Sequence, residues 1–324
     1  MKKFRFFNSL AIAITMMGLP AISTSAFGAD EVEEVVAVGS RREARSVGDS
    51  PAPVDIITGS DFVNQGAMDL PDMIRTLVPS FNVNTQPISD AATLIRPANL
   101  RGLPPDNMLV LVNGKRRHRG AVISFLGSGI SDGAQGPDIS AIPSIALKQV
   151  EVLRDGASAQ YGSDAIAGIM NFVLRDDSEG TQLEIRSGQY KEGDGDAWRI
   201  AANIGMPFTS SGFANLSVEL QDSQATSRSV QRADAQGLYD GGNTAIWNYP
   251  EPAQIWGSPD VSDDYKFVVN IGLSLDESKD FYIFGNYGER NVLGGFFFRN
   301  PTNRGGVFST DGGATRLVGD VAEA

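Results

Sequence analysis

The stretch VEVLRDGASAQYGSDAIAGIMNFVLR, residues 150–175, decides how the rest of the chain is read. Two apolar, β-prone runs flank small residues punctuated by Gly156, Gly162 and Gly168. Such a segment either cradles a phosphate or lets two strands fold tightly on each other. The spacing forms no GxxxxGK[ST] loop, so the glycines are read as turn and packing residues. HExxH is absent, and the single histidine, His118, stands beside no nucleophile that would complete a triad. No enzyme and no cofactor are expected.

Upstream, ISAIPSIALKQ (139–149) leads into the first of these runs through a helical turn near Pro143. NMLVLVNGKRRH (107–118) sets an apolar strand against Asn113-Gly114, the dipeptide that best tolerates the positive φ angles of a two-residue hairpin. Leu70, Met73, Ile74, Leu77 and Val78 recur at helical spacing behind a capping Asp69, with Pro71 in the first turn and Pro79 as the stop. Pro53 to Thr58 reads as a strand, followed by a helical turn from about Ser60.

Downstream of Gly180 the texture changes to long alternating strands. Trp198, Ile200, Ala202, Ile204 and Met206 share one face, and Arg199, Ala201 and Asn203 share the other. Phe267, Val269, Ile271, Leu273 and Leu275 repeat the pattern. Expected strands cover 182–190, 196–206, 213–221, 265–275 and 281–288. PFTSSG and DESKD are short turns, while 223–264 is a long polar connection. Short turns on one side and long loops on the other are the rhythm of outer-membrane barrels.

The N-terminus supports an exported protein. Residues 1–28 carry Lys2, Lys3 and Arg5, an apolar stretch from Leu10 to Leu19 and a small-residue end, as a secretory signal does. Removing its three positive charges takes the formal charge from −12 to −15, which argues against nucleic acid as a partner. Cysteine is absent, and 41% hydrophobic residues suffice for a core. After the signal, EEVVAV at 33–38 is either a strand offered to a partner sheet or the first strand of the next domain.

In their order, SPAPVDIITGSDF, DLPDMIRTLVPSFNV, LRGLPPDNMLVLVNGKRRHRG and IPSIALKQVEVLRDGASAQYGSDAIAGIMNFVLR resemble the TonB-dependent receptors, active transporters of Gram-negative outer membranes. Two positions depart from the usual pattern: Asp155-Gly156 where Gly-Pro is common, and Ala167-Gly168 where paired glycines are. Both keep a turn and a close backbone approach.

The resemblance implies an α+β plug followed by the first strands of an antiparallel transmembrane β-barrel, whose full wall would have about 22 strands around the plugged lumen. It implies 1–28 as signal, 29–50 as tail and linker, 51–178 as plug and 179–324 as barrel. Glu34, Val35, Val36, Ala37 and Val38 would bind TonB by strand addition. The other partners would be an extracellular small ligand, such as an iron–siderophore complex or an oligosaccharide, and outer-membrane lipid.

Arg116, Arg117, His118 and Arg119 are candidates for facing an anionic ligand at the outward mouth, against the alternative of a solvated basic loop. Without cysteine or carboxylate spacing around it, His118 is a poor metal ligand. Arg101 and Arg154 are read as structural, pairing with carboxylates that hold plug to barrel. Only 144 residues follow Gly180, whereas a wall of that size needs on the order of 220 at about 10 per strand. The chain is therefore expected to be a piece of a longer receptor. A secreted β-sandwich that binds or adheres is the rival class.

Overall fold

The computed structural model describes residues 35–36, 45–46, 53–83, 85, 88–89, 92–124, 129–243, 246, 252–276, 278–295, 297–298 and 300. Of the expected TonB contact, Glu34, Ala37 and Val38 lie outside the described residues. Val35–Val36 (β1) pairs antiparallel with Arg45–Ser46 (β2), so the tail segment adopts extended backbone there.

Val54–Thr58 (β3) runs directly into Gly59–Val63 (α1), where Asp61 accepts from the Thr58 amide and hydroxyl, both at 2.8 Å. Leu70–Leu77 (α2) begins as its sequence predicts: Asp69 Oδ1 accepts from the Asp72 amide at 3.0 Å, and Pro71 occupies the first turn. Its Leu70, Met73 and Ile74 are buried. Phe81–Val83 (β4) and Ala98–Leu100 (β5) form a small antiparallel pair.

Met108–Val112 (β6) turns through Asn113 (φ 47°) and Gly114 (φ 72°) into Lys115–Arg116 (β7), the hairpin that Asn-Gly predicts. Leu147–Leu153 (β8), Ser158–Tyr161 (α3) and Gly168–Leu174 (β9) are the opening stretch in three dimensions. The two strands pair antiparallel at the centre of a sheet ordered β3-β8-β9-β6-β7. The β6–β9 pair is parallel, a register between distant segments. At Gly168 (φ 139°) a Cβ would sit 2.3 Å from the Leu153 carbonyl oxygen. Only glycine lets β9 start so close to the end of β8.

One face of this sheet, with Ile57, Val110, Val150, Val152, Met170 and Phe172, packs against α2. Its other face buries Leu109, Leu111, Leu153 and Ile169. This is an ordinary apolar core.

Thr181–Gly188 (β10), Ala197–Pro207 (β11), Gly212–Ser223 (β12), Asp260–Asp276 (β13) and Lys279–Leu293 (β14) form a second sheet, antiparallel and in sequence order, with the helix Ala233–Asp240 (α4) in the long connection. β13 and β14 run to 17 and 15 residues, past their expected ends. The extra residues are mostly polar and read locally as loop, yet cross-strand pairing engages their backbone.

Burial in this wall is inverted. On β11, Arg199, Ala201, Asn203 and Gly205 are buried, while Trp198, Ile200, Ala202, Ile204 and Met206 are not. Registered across the strands, Leu183, Ala202, Val218, Phe267 and Tyr287 make one outward row. Glu184, Ala201, Glu219 and Lys266 make the matching inward row. Among the inward apolar residues, Val268 and Phe284 join the core against which α2 packs. Among the described residues no helix is long and apolar enough to cross a membrane, which leaves crossing by strands open.

Candidate functional site

The inward face of the wall meets the first sheet and its helices through charge. Alternation along β10 to β13 places Glu184, Arg186, Arg199, Glu219, Asp264 and Lys266 on that face. They form an alternating ladder: Arg186–Glu184 at 3.4 Å, Glu184–Arg199 at 2.9 Å, Arg199–Glu219 at 2.6 Å, Glu219–Lys266 at 2.6 Å and Lys266–Asp264 at 3.4 Å. Arg199 is fully buried, and the Glu184 and Glu219 carboxylates offset the cost of placing its charge there.

Both arginines also reach across the interface. Arg199 Nη2 donates to Ser144 Oγ at 2.6 Å. Arg186 donates to the carbonyls of Phe62 (3.1 Å), Val63 (3.0 Å), Gln65 (2.5 Å) and Ala67 (3.3 Å). Those carbonyls lie at and just past the end of α1, where helical partners run out and a cation is favoured. At the short-turn end, Asn113 Oδ1 accepts from the Leu174 amide at 2.8 Å and its Nδ2 donates to Asn270 Oδ1 at 3.3 Å. The hairpin turn is thereby docked on β13.

At the long-loop end a cavity of about 460 Å³ separates the start of α2 from the wall. Its inner side carries Met68, Asp69, Asp72 and Arg96; its wall side carries Gly188, Tyr190, Gln221, Asp264, Arg290 and Val292. Arg96 bridges Asp69 and, at 3.1 Å, Asp72. Burial would push the Asp69 carboxyl up, but the Arg96 guanidinium and the Asp72 amide hold it below its ordinary value. Asp72, half-buried and beside the Asp69 carboxylate, is raised by the loss of solvent and by that like charge. Burial also disfavours the charged Arg96, and the two carboxylates more than reverse that.

The basic segment lies elsewhere. Arg116, exposed, pairs with Asp164 and donates to the Tyr161 carbonyl at 2.9 Å. Arg117 donates to Asn286 Oδ1 at 2.7 Å, and burial lowers its pKa. His118 is exposed, and Arg119 lies 3.8 Å from Asp106. Arg116, Arg117 and Arg119 border a crevice of about 40 Å³, and none of the four residues lines the 460 Å³ cavity. Arg154 pairs with Asp55 at 2.6 Å and Arg101 reaches the Ala167 carbonyl at 3.5 Å, both partners within the first sheet's own body. Among the described residues no group of three or more acidic or histidine side chains is placed to hold a metal.

Sequence reading passed over Glu184, Arg186, Glu219, Asp264 and Lys266. Their signal was present: charged and amide residues at every second position of strands whose other face is apolar. Arg96 gave no local signal, because its partners lie 24 and 27 residues away.

A mixed sheet seated on the polar face of an antiparallel wall, with that wall's outer face apolar, is the architecture of a plugged outer-membrane barrel. The TonB-dependent receptor plug domain family matches residues 46–169. The chain carries that plug domain, followed by five antiparallel strands that align with TonB-dependent receptor barrels.

It is 29% identical over 174 residues to the iron-regulated outer membrane virulence protein of Vibrio cholerae, a match covering 53% of this chain and 24% of the relative. It is 26% identical over 185 residues to the vitamin B12 transporter BtuB of Photobacterium profundum, covering 57% and 27%. The chain thus spans about a quarter of the length of these curated relatives.

Among solved structures, a ferric enterobactin receptor of Pseudomonas aeruginosa in complex with enterobactin aligns with a TM-score of 0.55 at 19% identity, covering 74% of this chain and 33% of that one. The siderophore receptor PirA of Acinetobacter baumannii aligns at 0.51 and 20%, covering 76% and 32%. These likenesses establish the fold. Its place is the outer membrane, and TonB-dependent transporters are not enzymes.

Proposed function

We propose that the chain acts in TonB-dependent active transport, taking up a scarce small ligand such as an iron–siderophore complex across the bacterial outer membrane. The observation that carries this reading is the plug held on the polar face of the wall by Arg186 and Arg199. A lumen filled in this way conducts nothing until the plug is disturbed, and disturbing it requires work from outside the barrel.

The proposed point of entry for that work is Glu34 to Val38, read as the segment to which TonB adds a strand. The extended backbone of Val35 and Val36 is compatible with strand addition. Force applied there reaches β3, an edge strand, and α1 behind it, which Arg186 grips. No bond in the ligand need break.

Deleting residues 34–38 from the full-length receptor is expected to abolish uptake of radiolabelled ferric siderophore while leaving surface binding intact. Equal uptake with and without the segment removes the tail from the mechanism.

A further inference from the structure

The cavity at the long-loop end has a chemical bias that its formal charge hides. Asp69, Asp72 and Asp264 are matched in number by Arg75, Arg96 and Arg290, so its lining carries no net formal charge. The cations are already engaged: Arg96 by Asp69 and Asp72, Arg75 by Asp72 at 3.2 Å, and Arg290 by the Leu94 carbonyl at 2.6 Å.

Asp72 Oδ1 has no hydrogen bond but meets Arg75, whereas two other acceptors of the lining have neither a hydrogen bond nor an ion pair. Gln221 Oε1 and Asp264 Oδ1 are buried with no hydrogen-bond partner, although their residues are only 7% and 3% exposed. Gln221 and Asp264 stand directly opposite each other on β12 and β13, so the two side chains share one patch of the cavity wall. Lys266 serves the other Asp264 oxygen at 3.4 Å and is itself held by Glu219. Around them Met68, Leu94, Val261 and Val292 supply apolar surface, and Tyr190 an aromatic ring.

Buried acceptors without donors destabilise a fold, and a ligand that brings the donors offsets that cost. A carboxylate or phosphate would meet the Asp264 oxygen with no free cation to receive it. We propose that this cavity binds an uncharged, hydroxyl-rich group of the ligand, with Gln221 Oε1 and Asp264 Oδ1 as its acceptors. The volume lies within the range of small-molecule sites, about 300–1,000 Å³. This rests on the receptor reading above and specifies the chemistry of its cargo. It also moves recognition away from the basic segment at 115–119.

Saturation-transfer NMR on outer-membrane vesicles carrying the full-length protein tests the assignment, with glucose and raffinose as neutral polyols and glucuronate as the matched anion. Transfer to the polyols should exceed transfer to glucuronate. In Gln221→Met, polyol affinity should fall about tenfold while the thermal midpoint holds or rises. Transfer to glucuronate equal to or above that to glucose, transfer to none of the three, or undiminished polyol binding in Gln221→Met overturns it. The comparison among probes needs no variant. Because binding is read without an energy source, lost uptake with polyol binding intact on deleting 34–38 bears on the transport reading alone.

Discussion

The plug sheet and the wall sheet each have five strands, and they bury opposite kinds of side chain. In the plug, Val150, Val152, Met170 and Phe172 are inaccessible. In the wall, Leu183 and Ile185 are 64% and 70% exposed while Arg199 is wholly covered. Alternation is the same in both; what differs is the medium on each side. The plug is a protein core surrounded by polar surface, whereas the wall sets an apolar face toward lipid and a hydrogen-bonding face toward the plug.

The sharpest way to break this contrast is to make the inward wall apolar. Arg199→Met takes the shared cation from between Glu184 and Glu219 and leaves each with one remaining partner, Arg186 or Lys266, in a buried site, and should cost about 3–5 kcal/mol. The thermal midpoint of the full-length receptor in detergent should drop accordingly.

A slightly smaller loss, about 3 kcal/mol, is expected from Gly168→Ala in the plug, since the new Cβ meets the Leu153 carbonyl and a Leu100 methyl. Denaturant unfolding checks it. Here the backbone, not the medium, is offended, so the loss should persist in any detergent or lipid.

Val218→Arg on the outward row tests the lipid side. A cation there should cost about 2–4 kcal/mol near the bilayer midplane, read as a shift in folding equilibrium into vesicles. In a soluble β-sandwich the same exposed position would tolerate arginine, and an unaffected variant would favour that rival class.

The smallest effect concerns the plug's own ion pair. Asp69→Asn keeps the helix cap but loses the Arg96 pairing, at about 1–2 kcal/mol near neutral pH. Because Asp69 is lowered in the fold, its contribution is present above the ordinary carboxylate range and disappears as pH falls through its depressed value. Parent and variant should therefore converge on acidification, as a pH series of midpoints would reveal.

Much of the plug was legible because its signals are local. Asn113-Gly114 specifies its hairpin through φ alone, and Asp69, Pro71 and Pro79 bound α2 without help from elsewhere. The wall strands could be read as alternating, and their turn asymmetry gave their direction. The parallel pairing of β6 with β9 could not be read, since about 60 residues separate paired positions such as Leu109 and Ile169. Nor could the ladder from Arg186 to Asp264, where each ion pair depends on register between strands. The basic run at 115–119 drew attention by composition, yet Arg116 is paired to Asp164 and Arg117 is bound to the wall.

By itself, the sequence determined the Asn-Gly hairpin, the helix cap, the order of the wall strands and the two faces of the strands at 196–206 and 265–275, because these follow from φ preferences and side-chain alternation. Only the tertiary structure decided which face meets the plug, that Arg186 closes the end of α1, and that Gln221 and Asp264 share a cavity. Those contacts join residues distant in the chain, and their energies depend on burial that no single segment can achieve.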